Sequence, residues 1–261
     1  MPLTGFILRV MKITADLLSA ARNASSDLPV QKVLIGLHWT AVQSRYLGLA
    51  ATQPDKTCCF AEEVLNGGSL HEKSAYELAD YLQSPRPLEA SVGMAALNSF
   101  LPVDLSNTVE LNARDLIVQK SQDRRVAMVG HFQFTEEIRR HAAELWVLEL
   151  EPTSDSGDLP AFEAPRYLPQ ADVIAITAST LLNGTFEDLA SLFSPHALVV
   201  MLGPTTPLSA VLFDYGVDVL SGARVNEPEA ILHAIGQGSP LHRPRGLQRL
   251  TLARDRSLAE R

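Results

Sequence analysis

The spacing of apolar positions changes near residue 124, and this change divides the chain into two parts. In the first part, apolar residues recur at helical spacing over 11–24 and again over 88–101, which predicts two amphipathic helices. Residues 30–37 and 40–51 carry shorter extended patterns, which predict the two strands of a β-hairpin. The first part is therefore predicted to be a small α+β unit.

Two further helices are predicted in this part of the chain. Ser74 and Glu77 have the spacing of a capping box, which predicts a helix over 74–83. A short helix over 112–119 is predicted to link the two parts, so the domain boundary is expected between residues 110 and 123.

After residue 124, continuous apolar runs alternate with helical patterns. Such runs predict strands that are buried on both faces, as in a parallel sheet built from βαβ units. The predicted strands cover residues 126–129, 145–150, 173–176, 198–202 and 217–220, and the predicted helices cover 135–143, 186–193 and 208–214. Thr185 and Asp188 have capping-box spacing, which predicts that Thr185 caps the helix over 186–193.

Charge and cysteine content exclude several classes of protein. The net charge is −8 and the sequence pI is about 5.4, which argues against nucleic-acid binding. The only cysteines are the adjacent Cys58 and Cys59, so a disulfide framework is excluded and a cytoplasmic location is expected. No apolar run is long enough for a membrane span. Basic residues cluster between His242 and Arg256, which predicts a solvated C-terminal tail or helix.

Polar residues follow the predicted strands of the second part. Ligands of open parallel sheets bind beyond the carboxyl ends of the strands, so these residues are site candidates. His131 is a candidate general base or metal ligand, although a hydrogen-bonded loop histidine is the alternative. Hydroxyl-rich loops after the third and fourth strands are predicted to hold an anion or another polar ligand. The candidates are Gly130, His131, Glu149, Thr177, Ser179, Thr180, Asn183, Gly203 and Thr205.

Glu149 lies 19 residues beyond Gly130, close to the separation at which dinucleotide-binding domains place the acid that holds a ribose hydroxyl. The glycine fingerprint is absent, however, and Phe132 would crowd a pyrophosphate. A standard NAD site is therefore disfavoured, whereas a nucleoside or S-adenosyl-type ligand stays open.

The first part supplies its own polar candidates. The end of a predicted strand carries His38, Trp39 and Thr40. The helix over 88–101 carries Glu89 and Asn98, for which solvent exposure is the alternative.

Five segments together resemble the prokaryotic family named "Putative heavy-metal chelation". They are GLHWTA (36–41), LEASVGMAALN (88–98), VGHF (129–132), ITASTLLNGT (176–185) and LGPTTPLS (202–209). The resemblance implies an α/β protein in which an α+β domain like the enolase N-terminal domain precedes a Rossmann-like parallel-sheet domain. We assign these domains to residues 11–115 and 116–245, with the basic tail at 246–261.

The resemblance also implies a site in the cleft between the two domains. Trp39, Thr40, Glu89 and Asn98 would face the strand-end residues, and a metal would be held by His38, Glu89 and His131. The function expected is cytoplasmic binding of a small anionic ligand, a metal ion or a metal complex. One alternative is an enzyme with a nucleotide or S-adenosyl-type cofactor, with Glu149 on the ribose and His131 as base. Another is an assembly protein with a vestigial cleft. A homodimer is expected because most soluble oligomers are twofold dimers.

Overall fold

The computed structural model describes residues 12–54, 64–152, 157–241 and 244–259. Within these ranges, the N-terminal unit contains three α-helices and a small antiparallel sheet in the order β1-β2-β3. The elements are α1 (Lys12–Ala24), β1 (Lys32–Ile35), β2 (Trp39–Gln43), β3 (Leu47–Ala51), α2 (Ala75–Ala79) and α3 (Pro87–Phe100). The helices predicted at 11–24 and 88–101 are confirmed.

Two predictions for this unit need correction. Residues 40–51 form two strands instead of one, because the chain reverses at Ser44, whose backbone N–H donates to the Tyr46 carbonyl. The helix predicted over 74–83 ends as an α-helix at Ala79 and continues as a 3₁₀ helix over Asp80–Gln83. Its capping box is present, with the side chains of Ser74 and Glu77 each bonded to the other's backbone N–H.

The second unit is built on an eight-stranded, mostly parallel sheet, which confirms the predicted α/β class. Its strands are β4 (Thr108–Val109), β5 (Arg125–Val129), β6 (Glu144–Glu149), β7 (Leu159–Pro160), β8 (Val173–Thr177), β9 (Leu198–Leu202), β10 (Val219–Val225) and β11 (Leu247–Ala253). Its helices are α4 (Ala113–Lys120), α5 (Thr135–His141), α6 (Ala164–Tyr167), α7 (Ser179–Leu182), α8 (Phe186–Ala190) and α9 (Pro228–Gly236).

The strand order is β4-β11-β10-β9-β8-β5-β6-β7. The parallel strands from β7 to β10 follow the 3-2-1-4-5-6 order of doubly wound sheets. β6 lies on one side of β5 and β8 on the other, so the order of connection reverses at β5. A crevice opens at this topological switch point beyond the carboxyl ends of the strands, and it is the usual ligand position in such sheets.

The segment predicted as a basic tail is instead an interior strand. β11 pairs antiparallel with β10 over its whole length and with β4 on its other edge. Leu250 and Thr251 are buried, whereas Arg249 is exposed. The strand was missed because Arg249 and the arginines on either side of the strand dominate the local charge. The helix predicted over 208–214 is a 3₁₀ helix over Ala210–Tyr215, and the strand predicted at 217–220 is β10.

One hydrophobic core joins the two units. It runs from Leu17 of α1 and Leu97 of α3 to Leu181 of α7 and Val199 of β9. α3 packs closely against the small sheet at Gly48, which has no side chain. A Cβ atom at this position would come within 2.1 Å of the Ala95 carbonyl oxygen. Among the residues that the structure describes, no helix combines the length and the apolarity needed to cross a bilayer.

Candidate functional site

A cavity of about 830 Å³ lies at the carboxyl ends of β5, β6 and β8, at the topological switch point. Gln53, Pro54 and Pro87 from the N-terminal unit also line it. Seven of the predicted strand-end residues lie on its wall, so the structure brings them together. They are Gly130, His131, Glu149, Thr177, Ser179, Thr180 and Asn183. We refer to this space as the first cavity.

His131 is held at the cavity wall by two carboxylates. Its backbone N–H donates to Glu149 Oε1 over 2.5 Å, and its imidazole Nδ1 lies 2.8 Å from Asp158 Oδ2. The Asp158 side chain is 4% exposed, whereas that of His131 is 45% exposed. An ionised carboxylate only accepts hydrogen bonds, so this contact assigns the proton to Nδ1. Nε2 is then the ring atom left to accept a proton or bind a metal.

Asp158 is the site residue that the sequence did not reveal. No spacing in the sequence relates Asp158 to His131. Asp158 directly precedes β7, which pairs with the end of β6 at Leu148 and Glu149. Only this strand pairing brings its carboxylate to the imidazole.

Gly130 allows β5 to turn sharply into the cavity. Its φ angle is +101°, and a Cβ atom there would lie 3.0 Å from Thr177 Cγ2 on the neighbouring strand. Both features favour glycine. The turn therefore lets His131 follow β5 without moving β8 away.

The hydroxyl-rich loop after β8 satisfies much of its own hydrogen bonding. Thr180 Oγ1 donates to the Thr177 carbonyl over 2.7 Å, and Thr177 Oγ1 accepts from the Ser179 backbone N–H over 3.3 Å. Asn183 Oδ1 accepts from Thr185 Oγ1 over 2.8 Å. Thr185 consequently does not cap α8 with its side chain, and the predicted capping box is wrong. The Ser179 hydroxyl makes no hydrogen bond to the rest of the described chain, so it is available to a ligand.

The charge on the wall of the first cavity is negative. Glu149, Glu151 and Asp188 line it, and Asp158 lies directly behind His131. No lysine or arginine is found among its described lining residues. This charge disfavours the anionic ligand that was expected from the sequence, because like charges repel at short range.

Three residues predicted to bind the ligand are used for structure instead, and two of them, Asn98 and Thr205, form a contact between the two units. Asn98 Nδ2 donates to the carbonyl oxygens of Leu49 (3.0 Å) and Thr205 (3.1 Å). Thr205 Oγ1 accepts from the Ala51 backbone N–H over 2.9 Å. Thr40 is fully buried, with Oγ1 3.0 Å from the Thr52 hydroxyl.

Trp39 and Gly203 line a different cavity of about 710 Å³, which we call the second cavity. It lies at the end of β9 and over β10 and β11. The residues that were predicted to form one cleft are thus divided between two cavities and the contact between the units.

The predicted metal set does not converge. Across the described ranges, no group of three or more histidine, cysteine, aspartate or glutamate residues is placed to hold a metal ion, so His38, Glu89 and His131 do not form such a site. His38 is exposed, while Glu89 is buried. Cys58 and Cys59 lie outside the described residues.

Glu89 instead holds the polypeptide around it. Its carboxylate accepts from the Ser84 hydroxyl (2.5 Å) and the Leu65 backbone N–H (2.9 Å), and it pairs with Arg86 over 3.2 Å. Burial raises the pKa of Glu89, but these hydrogen bonds and the arginine charge outweigh it and hold the pKa below its ordinary value. The carboxylate is therefore used for structure.

Two family models match the chain, one over residues 18–101 and one over residues 112–253. Both carry the description "Putative heavy-metal chelation". The chain belongs to this family, which confirms the resemblance.

Two solved structures of family members share this fold, and a further relative matches in sequence. An uncharacterized protein of Methanocaldococcus jannaschii is 24% identical over 168 residues, a match that spans 61% of this chain and only 64% of that protein. A crystal structure of a family member of unknown function from Desulfitobacterium hafniense has a TM-score of 0.76 at 24% identity, covering 92% of this chain and 98% of that one. Another from Pyrococcus horikoshii has a TM-score of 0.78 at 22% identity, covering 92% and 99%.

Proposed function

We propose that the protein binds a small ligand of neutral or positive charge in the first cavity, and that a chelated metal cation is such a ligand. The observation that carries this proposal is the composition of the cavity wall. It combines carboxylates, hydroxyls and one oriented imidazole with apolar side chains, and its described part has no lysine or arginine. Mixed cavities of this size at a switch point are typical small-molecule sites.

A metal complex fits this cavity better than a bare ion does. A bare ion needs several converging protein ligands, and the described residues supply no such group. An organic chelator would provide most of the ligands, and His131 Nε2 would occupy one open coordination position. The family description supports metal handling, and the acidic wall supports a complex without net negative charge.

Calorimetric titration with three forms of nickel tests this proposal. We expect the neutral 1:1 iminodiacetate complex of Ni²⁺, which leaves coordination positions open, to bind, nickel chloride to bind more weakly, and the anionic nickel citrate complex not to bind. Ser179→Phe fills the first cavity and should abolish binding, whereas Ala223→Phe on the wall of the second cavity is the matched control. Chloride and complex binding equally well, with Ser179→Phe having no effect, would exclude the proposal.

A second candidate is an enzyme that uses an S-adenosyl-type cofactor. The specific observation that favours it is the His131–Asp158 pair, which has the arrangement of an oriented general base. Glu149 ends β6 beside Gly130, where doubly wound domains hold a ribose. A sulfonium cation suits the acidic wall, whereas the pyrophosphate of NAD does not.

Thermal unfolding with S-adenosylmethionine and with NAD tests this candidate. S-adenosylmethionine should raise the Tm of the wild type, and Glu149→Ala should lose that rise. NAD should leave the Tm unchanged. An unchanged Tm with S-adenosylmethionine would remove the candidate and leave the binding proposal standing.

A further inference from the structure

The second cavity differs from the first in the charge and shape of its wall. Three arginines and three aromatic residues line it: Arg114, Arg140, Arg249, Trp39, Phe132 and Phe134. Phe132 lines both cavities, so the two lie on opposite sides of the chain that follows β5. Two carboxylates, Glu136 and Glu137, also line the second cavity, whereas no lysine or arginine lines the described part of the first.

The arginines of the second cavity are not all neutralised by nearby carboxylates. Arg114 bonds Glu137 Oε2 through two nitrogens, at 2.8 and 2.6 Å. Arg140 donates its Nε proton only to the Glu136 backbone carbonyl, and the Glu136 carboxylate pairs with Arg139 over 3.1 Å. In the part of the chain that the structure describes, Arg140 has no carboxylate within ion-pair distance. Its positive charge therefore stays at the wall.

The aromatic residues give the cavity flat apolar surfaces. Phe132 and Phe134 are stacked, with ring centroids 5.5 Å apart and an interplanar angle of 26°. Trp39 reaches the wall from β2 of the N-terminal unit, and its indole Nε1 is buried without an acceptor among the described residues. Buried indole N–H groups usually have a hydrogen-bond partner, so the missing acceptor is a feature to be explained.

We propose that the second cavity binds a planar organic anion, such as an aromatic carboxylate or sulfonate. Guanidinium groups recognise carboxylates and sulfonates and also stack on flat rings, and the indole N–H supplies a further donor. A volume of about 710 Å³ accommodates a ligand of two or three fused rings. This site is independent of the function proposed for the first cavity.

Anilinonaphthalene sulfonate is a suitable probe, because it is a planar aromatic anion that fluoresces when bound. The chain has two tryptophans, so Trp146→Phe leaves Trp39 as the only energy donor. Trp146 packs against Tyr167, with ring centroids 5.1 Å apart, and phenylalanine can fill much of this space. Binding in the second cavity should quench Trp39 emission and sensitise the probe.

Arginine variants then test the chemistry. Arg140→Gln with Arg249→Gln should raise the Kd of the probe about tenfold or more, because charge-assisted hydrogen bonds are lost. The neutral analogue N-phenyl-1-naphthylamine should bind the same variant as it binds the wild type. Arg45→Gln is the matched control, since Arg45 is exposed and does not line the cavity, and it should leave the Kd unchanged. Arg140→Lys with Arg249→Lys keeps the charge but not the planar guanidinium, so its Kd should lie between those of the wild type and the glutamine variant. Circular dichroism checks that the variants are folded.

Three results would overturn the proposal. The first is an absence of energy transfer from Trp39. The second is an unchanged Kd for the sulfonate in the folded glutamine variant. The third is loss of sulfonate binding in Ser179→Phe, which would place the probe in the first cavity.

Discussion

His131 Nδ1 and Asp158 Oδ2 are 2.8 Å apart, and their contact joins the end of β5 to the start of β7 across the intervening strand β6. The acid is buried and the imidazole is exposed to the first cavity. One ring nitrogen of His131, Nδ1, is bonded to the buried carboxylate, and the other, Nε2, is left to contact a ligand. The proposed role of His131 depends on this arrangement.

Asp158→Ala should allow the His131 imidazole to populate both of its neutral tautomers. In the wild type, long-range ¹H–¹⁵N spectra above the titration range of the ring should show the proton on Nδ1, because the carboxylate accepts it. In the variant, the tautomers should mix and ligand affinity in the first cavity should fall. Glu229→Ala removes an exposed carboxylate that pairs with Lys32 and serves as the control. An unchanged tautomer in Asp158→Ala would show that this contact does not orient the ring.

Asn98→Ala should weaken folding and leave ligand affinity intact. The amide donates to two carbonyl oxygens at the contact between the two units, so its loss should cost about 1–3 kcal/mol of unfolding free energy. Asn226→Ala is the matched control, since Asn226 is exposed and its removal should cost less than about 0.5 kcal/mol. Urea unfolding measures both. Weaker ligand binding at unchanged stability would restore Asn98 as a ligand residue.

Gly130→Ala should destabilise the fold more than Gly203→Ala does. Both glycines have positive φ angles, +101° and +120°, so both substitutions carry backbone strain. Only the alanine at 130 also meets Thr177, which should add about 1 kcal/mol or more. Adding Thr177→Ser to Gly130→Ala removes the Thr177 methyl group, so the double variant should regain this extra loss of stability in urea unfolding. Equal losses of unfolding free energy in the two alanine variants would show that β8 moves away from the added methyl group without an energetic cost.

Glu89→Gln should reduce stability in a pH-dependent manner. The pKa of Glu89 is lowered in the folded protein, so its ionised form contributes stability above the unfolded pKa of about 4.3. That contribution is lost as the pH falls through the folded pKa. The variant should therefore be less stable than the wild type at pH 7, and the difference should shrink as urea unfolding is repeated toward pH 3.5. A difference that does not change with pH would show that the charge of Glu89 is not what stabilises the loop.

The sequence predicted the first cavity well because its residues follow strands. His131, Glu149 and Thr177 each stand at a strand end, and parallel strands bring their carboxyl ends to one edge of the sheet. The helices and the Ser74 capping box were also predictable, because both depend on residues that lie only a few positions apart in the sequence.

Features that depend on packing between distant segments were not predictable in this way. Asp158 reaches His131 only through the pairing of β7 with β6. Trp39 and Thr205 were placed in one cleft, but the docking of the N-terminal unit sends Trp39 to the second cavity and Thr205 into a backbone contact. β11 was missed because the arginines in and around it suggested a solvated tail, although Leu250 and Thr251 are buried.

Native mass spectrometry of the freshly purified protein, compared with its denatured mass, tests the central claim most directly. Wild type and Ala223→Phe should carry an excess mass that matches an organic molecule, with or without a chelated metal, and Ser179→Phe should lose it. An excess that matches bare metal ions alone, retained in full by Ser179→Phe, would contradict ligand binding in the first cavity.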